Sequence, residues 1–322
     1  MHYLYKLKFP YGVHFGADKA GIGLEKISSN CHCDTLFSAI CHEILKLHGE
    51  DELTKFYNET VSGNFLLTDL LPYKNDELMI PKPILYREKS EEEQVSDSVK
   101  KKKMKKLQFL PISKLNDFFD GNAEDTKFCE SVLYEKNAPS RDGDDTKNGL
   151  YSIGVTRFFD DCGLYFIAKM PEDKKDWFDN IIISLGLSGL GGKRTSGYGQ
   201  FEIIDDFELD ETSQIQSEAI MAKMLNKESK YYLTLSAFYP QKDEIQKLKS
   251  GYYTLIQRQG FVQSTTYNDD GFLKKLPTTM INAGSCFEYK FEGDVIDVNK
   301  DGNHPVYRYG KPIMIGIDVW NN

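Results

Sequence analysis

The stretch Gly186-Leu187-Ser188-Gly189-Leu190-Gly191-Gly192-Lys193-Arg194-Thr195-Ser196-Gly197-Tyr198-Gly199 packs six glycines into fourteen residues. Ordered glycine costs backbone entropy, so this density marks positive φ angles or an approach too close for a Cβ. Backbone amides exposed in this way cradle phosphates. Lys193, Arg194, Thr195 and Ser196 add side-chain donors and Tyr198 adds a stacking face. That mixture suits an RNA backbone with unstacked bases. The competing reading is a glycine-rich turn with solvated charges. Two nucleotide motifs fail here. A Walker A loop needs glycine five residues before its Gly-Lys pair and Ser or Thr after it, where this chain has Leu187 and Arg194. A dinucleotide-binding loop follows a strand and opens a helix, whereas this one follows a helical pattern and leads into the strand-like Gln200 to Ile204.

Histidine is the side chain suited to metal-independent RNA cleavage, because its pKa lies near working pH. His14, in a glycine-punctuated loop, is the best candidate for that role, but a loop histidine more often makes an ordinary hydrogen bond, so the expectation is that it touches RNA or pins the loop. Cys31, His32, Cys33, Cys41 and His42 invite a zinc reading. Cys-x-Cys is not the usual zinc-knuckle spacing, and Cys41 falls on an apolar helix stripe, so no metal and no cofactor is expected. Asp160-Asp161, Asp205-Asp206 and Asp269-Asp270 sit in turn-like contexts and read as solvated acids. Arg258, followed by Gly260 and Phe261, reads equally as a guanidinium that stacks on splayed bases and as a packing residue, while Tyr307 and Tyr309 alternate as strand packing does. The run Lys100 to Lys106, offset by Glu91 to Glu93, reads as a solvated charged face.

These residues need a scaffold. At 322 residues with 40% hydrophobic and 13% aromatic composition, the chain has material for about two packed domains. A net charge of -9 excludes a protein that coats nucleic acid by bulk attraction, so any RNA site must be local. Six dispersed cysteines do not form a disulfide framework. A start lacking a basic leader and the absence of a long apolar run lead to the expectation of a cytoplasmic protein without membrane contact. Tyr3, Tyr5, Leu7 and Phe9 alternate with Leu4, Lys6 and Lys8, which predicts a half-buried strand ending at Pro10. Asp34 is placed to cap a helix with the apolar stripe Leu36, Phe37, Ile40, Cys41, Ile44 and Leu45, stopped by Gly49. Strands are predicted at Leu150 to Phe159 and Leu164 to Met170, then a helix begun by Pro171 and carrying Trp177, Ile181 and Leu185. Residues 87–148 read as an insertion, Gln214 to Ser229 as a linker, and Tyr231 to Leu235 as the first strand of a second, strand-first half with a short polar helix at Gln241 to Leu248.

The glycine loop, taken with Gly12-Val13-His14-Phe15-Gly16, Asp34-Thr35-Leu36-Phe37-Ser38-Ala39, Pro81-Lys82-Pro83 and His304-Pro305-Val306-Tyr307-Arg308-Tyr309-Gly310-Lys311-Pro312, resembles the RAMP superfamily of CRISPR proteins. Within it, the chain is similar to the fourth-subunit family of type III-A Csm effector complexes. The resemblance spans nearly the whole chain. It implies an α+β fold of two ferredoxin-like (RRM-like) domains with antiparallel sheets, residues 1–210 with the insertion at about 87–148 and the glycine-rich loop 186–199, and residues 211–322. It implies a non-catalytic subunit that holds the 5′ handle of the CRISPR RNA. It also implies contact with the large polymerase-type subunit and the backbone RAMP subunits, and target RNA met only indirectly. The expected RNA-binding set is His14, Phe15, Gly16, Lys82, Arg141, Gly191, Gly192, Lys193, Arg194, Thr195, Ser196, Tyr198 and Arg258, with Arg141 near the tip of a thumb-like hairpin that bends the RNA. The alternative is a metal-independent CRISPR RNA-processing endoribonuclease using His14.

Overall fold

The computed structural model describes residues 1–17, 23–85, 104–138, 149–264, 266–267 and 274–318. The expected first strand is β1 (His2–Lys8), but it is buried on both faces. Tyr3, Tyr5 and Leu7 enter one apolar cluster and Leu4 another on the opposite side. Lys6, expected to face solvent, is 4% exposed and donates to Glu218 at 2.8 Å. The second half of the chain covers that face, and a buried ammonium is tolerable there because a carboxylate meets it.

Next come α1 (Cys33–His48), α2 (Glu50–Val61), β2 (Leu66–Leu67), β3 (Leu71–Lys74), β4 (Glu77–Pro81) and β5 (Phe109–Pro111). A hairpin of β6 (Cys129–Ala138) and β7 (Gly149–Phe158) follows, then β8 (Cys162–Lys169), α3 (Lys175–Ser188) and β9 (Glu202–Glu208). The larger sheet runs β9-β1-β8-β3-β4-β5, with β2 pairing the end of β8, and every pairing is antiparallel. Helices α1 and α3 pack on one face through Phe37, Ile40, Phe178 and Ile181. Leu45, assigned by periodicity to the stripe, is 41% exposed.

Three local expectations are corrected. Asp34 does not cap α1: the N-cap is His32, and the first amide, Cys33 N–H, donates to Asp69 Oδ1 at 2.9 Å. Asp34 lies inside the first turn, where Arg258 claims its carboxylate. The segment read as a linker contains α4 (Gln216–Asn226), whose Met221 and Leu225 join the core between the two sheets. Such a stripe is hidden in the sequence because charged residues interrupt it. The short helix expected at Gln241 is a 3-10 turn, Ile245–Ser250.

The second half holds β10 (Tyr231–Thr234), β11 (Gly251–Tyr252), β12 (Leu255–Arg258), β13 (Thr278–Ile281), β14 (Cys286–Phe287), β15 (Asp294–Asp297), β16 (Tyr307–Gly310) and β17 (Met314–Ile317). Its four-stranded sheet runs β11-β14-β10-β17, again antiparallel, with β12-β13 and β15-β16 as separate hairpins. Tyr309 is fully buried against Phe37, and Tyr307 stacks on Tyr57 at 4.0 Å, so both tyrosines are packing residues. No described helix is long and apolar enough to cross a membrane.

Candidate nucleic-acid interface

Helix α3 ends where Gly189 turns the chain, and the glycine-rich loop then folds back onto the loop after β1. Gly192 N–H donates to His14 O at 2.9 Å, and Gly199 N–H donates to Gly12 O at 3.0 Å. Only glycine fits at 192, since a Cβ there would lie 2.7 Å from His14 Cδ2. At 199 a φ of +85° and the backbone of Leu190 exclude a side chain. Between these staples, Lys193 sits in the left-handed region with φ 57°, followed by the 3-10 turn Arg194–Ser196. A non-glycine residue held there stores strain, which concentrates at functional sites.

His14 is buried, and its Nδ1 lies 2.8 Å from Gly154 O. A carbonyl only accepts, so Nδ1 carries the hydrogen and the ring ties β7 to the loop. His14, Phe15 and Gly16, together with Gly191, Gly192 and Arg194, line one wall of a cleft of about 360 Å³. The opposite wall comes from the second half through Arg258, Phe261, Gln263 and Lys275. Arg258 is at the floor, clamping Asp34 with Nε–Oδ2 3.1 Å and Nη2–Oδ1 2.8 Å and donating to Thr35 Oγ1 at 3.0 Å.

The other expected residues face elsewhere. Thr195 is exposed at the loop crest. Ser196 and Tyr198 line a second groove of about 590 Å³ with Tyr11, Tyr134 and Arg157. Lys136 Nζ sits 4.7 Å from the Tyr198 ring centre, and Lys193 Nζ sits 4.8 Å from that of Tyr151. The loop therefore separates a polar cleft from a cation-aromatic groove along the β6-β7 hairpin. Lys82 belongs to neither: its Nζ donates to Met104 O and Lys105 O, both at 3.3 Å, and burial lowers its pKa. Arg141, Glu91 to Glu93 and Lys100 to Lys103 lie outside the described residues.

The Cys31-His32-Cys33 segment serves the start of α1. His32 Nδ1 is 2.7 Å from Asp69 Oδ2, and Cys33 Sγ donates to Ala237 O at 3.2 Å. Burial pushes the thiols of Cys31 and Cys33 well above their ordinary range.

Residue types alone did not single out Asp34, His42, Lys275 and Arg308 as cleft residues. Burial alone would raise the Asp34 carboxyl, but the charge and hydrogen bonds of Arg258, with Arg308 and His32, hold it well below the usual carboxylate range. Burial, reinforced by Lys275 and Arg194, lowers His42. Arg308 stood inside the quoted His304 to Pro312 motif, and Tyr134 and Lys136 alternate on β6; those were the available signals.

Residues 227–317 match the CRISPR Csm4 C-terminal domain family. The chain is 34% identical over 313 residues to the CRISPR system Cms protein Csm4 of Mycobacterium tuberculosis (strain CDC 1551 / Oshkosh), covering 94% of each. It is 30% identical over 327 residues to the protein of the same name from Streptococcus thermophilus, covering 98% of this chain and 99% of the relative. Among solved structures, a Csm3-Csm4 subcomplex of the type III-A CRISPR-Cas interference complex contains a chain that matches with TM-score 0.64 at 22% identity, covering 99% of this chain and all of that one. A chain of a Csm1-Csm4 cassette in complex with cA4 matches with TM-score 0.60 at 18% identity, with full coverage of both. These likenesses show a shared mixed α/β fold with antiparallel sheets.

Proposed function

The chain belongs to the Csm4 family of CRISPR proteins, and from that premise we propose that it is a non-catalytic subunit of a type III-A interference complex, holding the 5′ handle of the guide RNA. The observation that carries this reading is the stapling of the glycine loop to the loop after β1, which sets Lys193 and Arg194 between a polar cleft and a cation-aromatic groove. The cleft suits phosphate and ribose contacts, and Tyr11, Tyr134 and Tyr198 suit stacking of unpaired bases. Local cations offset the acidic remainder of the chain, which is left for protein partners. In line with the assemblies in which its structural relatives occur, the partners are the large polymerase-type subunit and the backbone RAMP subunits, in the cytoplasm. Target RNA is met only indirectly.

Two ferredoxin-like domains divided near residue 210 fit the strand orders. Numbering the four principal strands of each half in chain order, both sheets read 4-1-3-2. That is the order of a βαββαβ unit. The β6-β7 hairpin is the thumb that bends the RNA, and Arg141 falls in its connection. No reaction is assigned, because the His14 ring commits Nδ1 to Gly154 in a buried position and works as a pin.

The test is photocrosslinking of guide RNA in the assembled complex, mapped to peptides, together with the salt dependence of RNA binding. Crosslinks are expected at 190–199, and Lys193→Ala with Arg194→Ala is expected to flatten the log–log salt slope by about one for each phosphate no longer neutralised. Crosslinks confined to other peptides with an unchanged slope would overturn the reading. Metal-independent cleavage of repeat RNA that disappears in His14→Ala would replace it with an endoribonuclease.

A further inference from the structure

We propose that the floor of the cleft is a built anion site, in which Arg308 and Lys275 hold a phosphodiester of the bound RNA while Arg258 and Asp34 fix the geometry. The proposal rests on the reading of the cleft as an RNA seat. Arg308 comes from β16, with its side chain only 4% exposed. Its Nε lies 4.0 Å from Asp34 Oδ2, a carboxylate already clamped bidentately by Arg258. Its Nη1 is buried without a hydrogen-bond partner among the described residues. A buried guanidinium N–H with no acceptor carries the full cost of its lost hydration, so its presence calls for an explanation.

The surroundings supply one. Among the described residues that line this cleft, Asp34 is the carboxylate that acts on Arg258, Arg308 and Lys275. Burial lowers the pKa of Arg308, with Asp34 opposing and Arg258 reinforcing the shift. Burial likewise lowers Lys275, opposed by Asp34 and reinforced by Arg308 and Arg258. Arg308 and Lys275 thus stand near a carboxylate that Arg258 already clamps, and an anionic oxygen would supply both further negative charge and the missing acceptor. Ser38 and His42 on α1 and Gln259 after β12 add polar groups around the position. The volume of about 360 Å³ lies within the range of small-ligand sites. Across the cleft stand Gly191 and Gly192, so an RNA backbone seated on the loop passes this floor. That continuity favours a phosphodiester over an isolated anion.

The proposal predicts opposite signs for stability and binding. Arg308→Met removes a buried cation whose Nη1 lacks an acceptor but keeps volume. The purified full-length variant is therefore expected to melt above the wild type by a few degrees in sodium chloride. Sodium phosphate at equal ionic strength raises the wild-type melting temperature and leaves that of Arg308→Met unmoved. Lys275→Ala, at a partly exposed position, folds as the wild type does and shows a reduced phosphate response, so it carries the test if Arg308→Met is poorly soluble. In the assembled complex, Arg308→Met weakens guide RNA binding about tenfold and flattens the salt slope by about one. A lower melting temperature with an unchanged phosphate response and salt slope would make Arg308 merely structural and overturn the site. If Lys193→Ala with Arg194→Ala loses RNA while Arg308→Met keeps its slope, the RNA seat stands and the anion site is wrong. If phosphate stabilisation depends on Arg308 but RNA crosslinks elsewhere, the anion site stands, while its assignment to RNA and the reading of the cleft both fall.

Discussion

The two halves share a strand order but fill it differently. In the first, α1 and α3 occupy the connections on one face of the larger sheet, and the glycine loop hangs from the end of α3. In the second, the connection between β10 and β11 contains only a 3-10 turn, and the one between β14 and β17 is the β15-β16 hairpin. The first half therefore presents a backbone-rich loop on a rigid helical layer, whereas hairpins of the second project side chains, Arg258 and Arg308, back onto α1. Neither half owns the cleft. One contributes the loop backbone with Arg194 and Asp34, the other the cations Arg258, Lys275 and Arg308.

The strongest way to break this division is to remove a residue that joins the halves at the cleft. Asp34→Ala leaves Arg258 without its bidentate carboxylate in a buried place, and a loss of about 3–5 kcal/mol is expected in chemical denaturation. Pairing it with Arg258→Met should recover part of that loss in a double-mutant cycle. The acid limb follows the same logic. The folded-state pKa of Asp34 is depressed below its unfolded value, so its stabilisation is present above the ordinary carboxylate range and lost as pH falls through the folded value. Asp34→Asn should flatten that limb of a stability–pH curve.

Smaller effects sharpen the contrast between the two loops that face each other across the cleft. Gly192→Ala drives a Cβ against His14 Cδ2, and about 1–3 kcal/mol of destabilisation is expected, with RNA affinity falling as the loop shifts. Gly260→Ala in the facing loop meets nothing within 4 Å and should change stability by less than about 0.5 kcal/mol. Equal costs at both positions would erase the distinction between a shape-built wall and a charge-built one.

Much of the first half was legible in local pattern. Alternation located β1, Pro171 and the spacing of Trp177, Ile181 and Leu185 located α3, and glycine density located the loop. Local pattern misplaced residues whose role is set by distant neighbours. Asp34 has a capping side chain, but Arg258 takes it from the helix amide, and Asp69 caps instead. Lys6 alternates as a solvent-facing residue, yet Glu218 meets it in the core. Lys82 fits the family motif but donates to carbonyls away from the cleft.

By itself, the sequence determined what nearest neighbours along the chain can enforce: strand and helix periods, the turn-forming glycines, and a loop that carries Lys193 and Arg194 among them. The tertiary structure alone decided which charges meet. Asp34 and Arg258 are 224 residues apart, and their pairing depends on the second half closing over α1. Periodicity reports the environment of a face. Charge pairing, and a guanidinium Nη1 left without an acceptor among the described residues, are properties of three-dimensional proximity, which a local pattern does not contain.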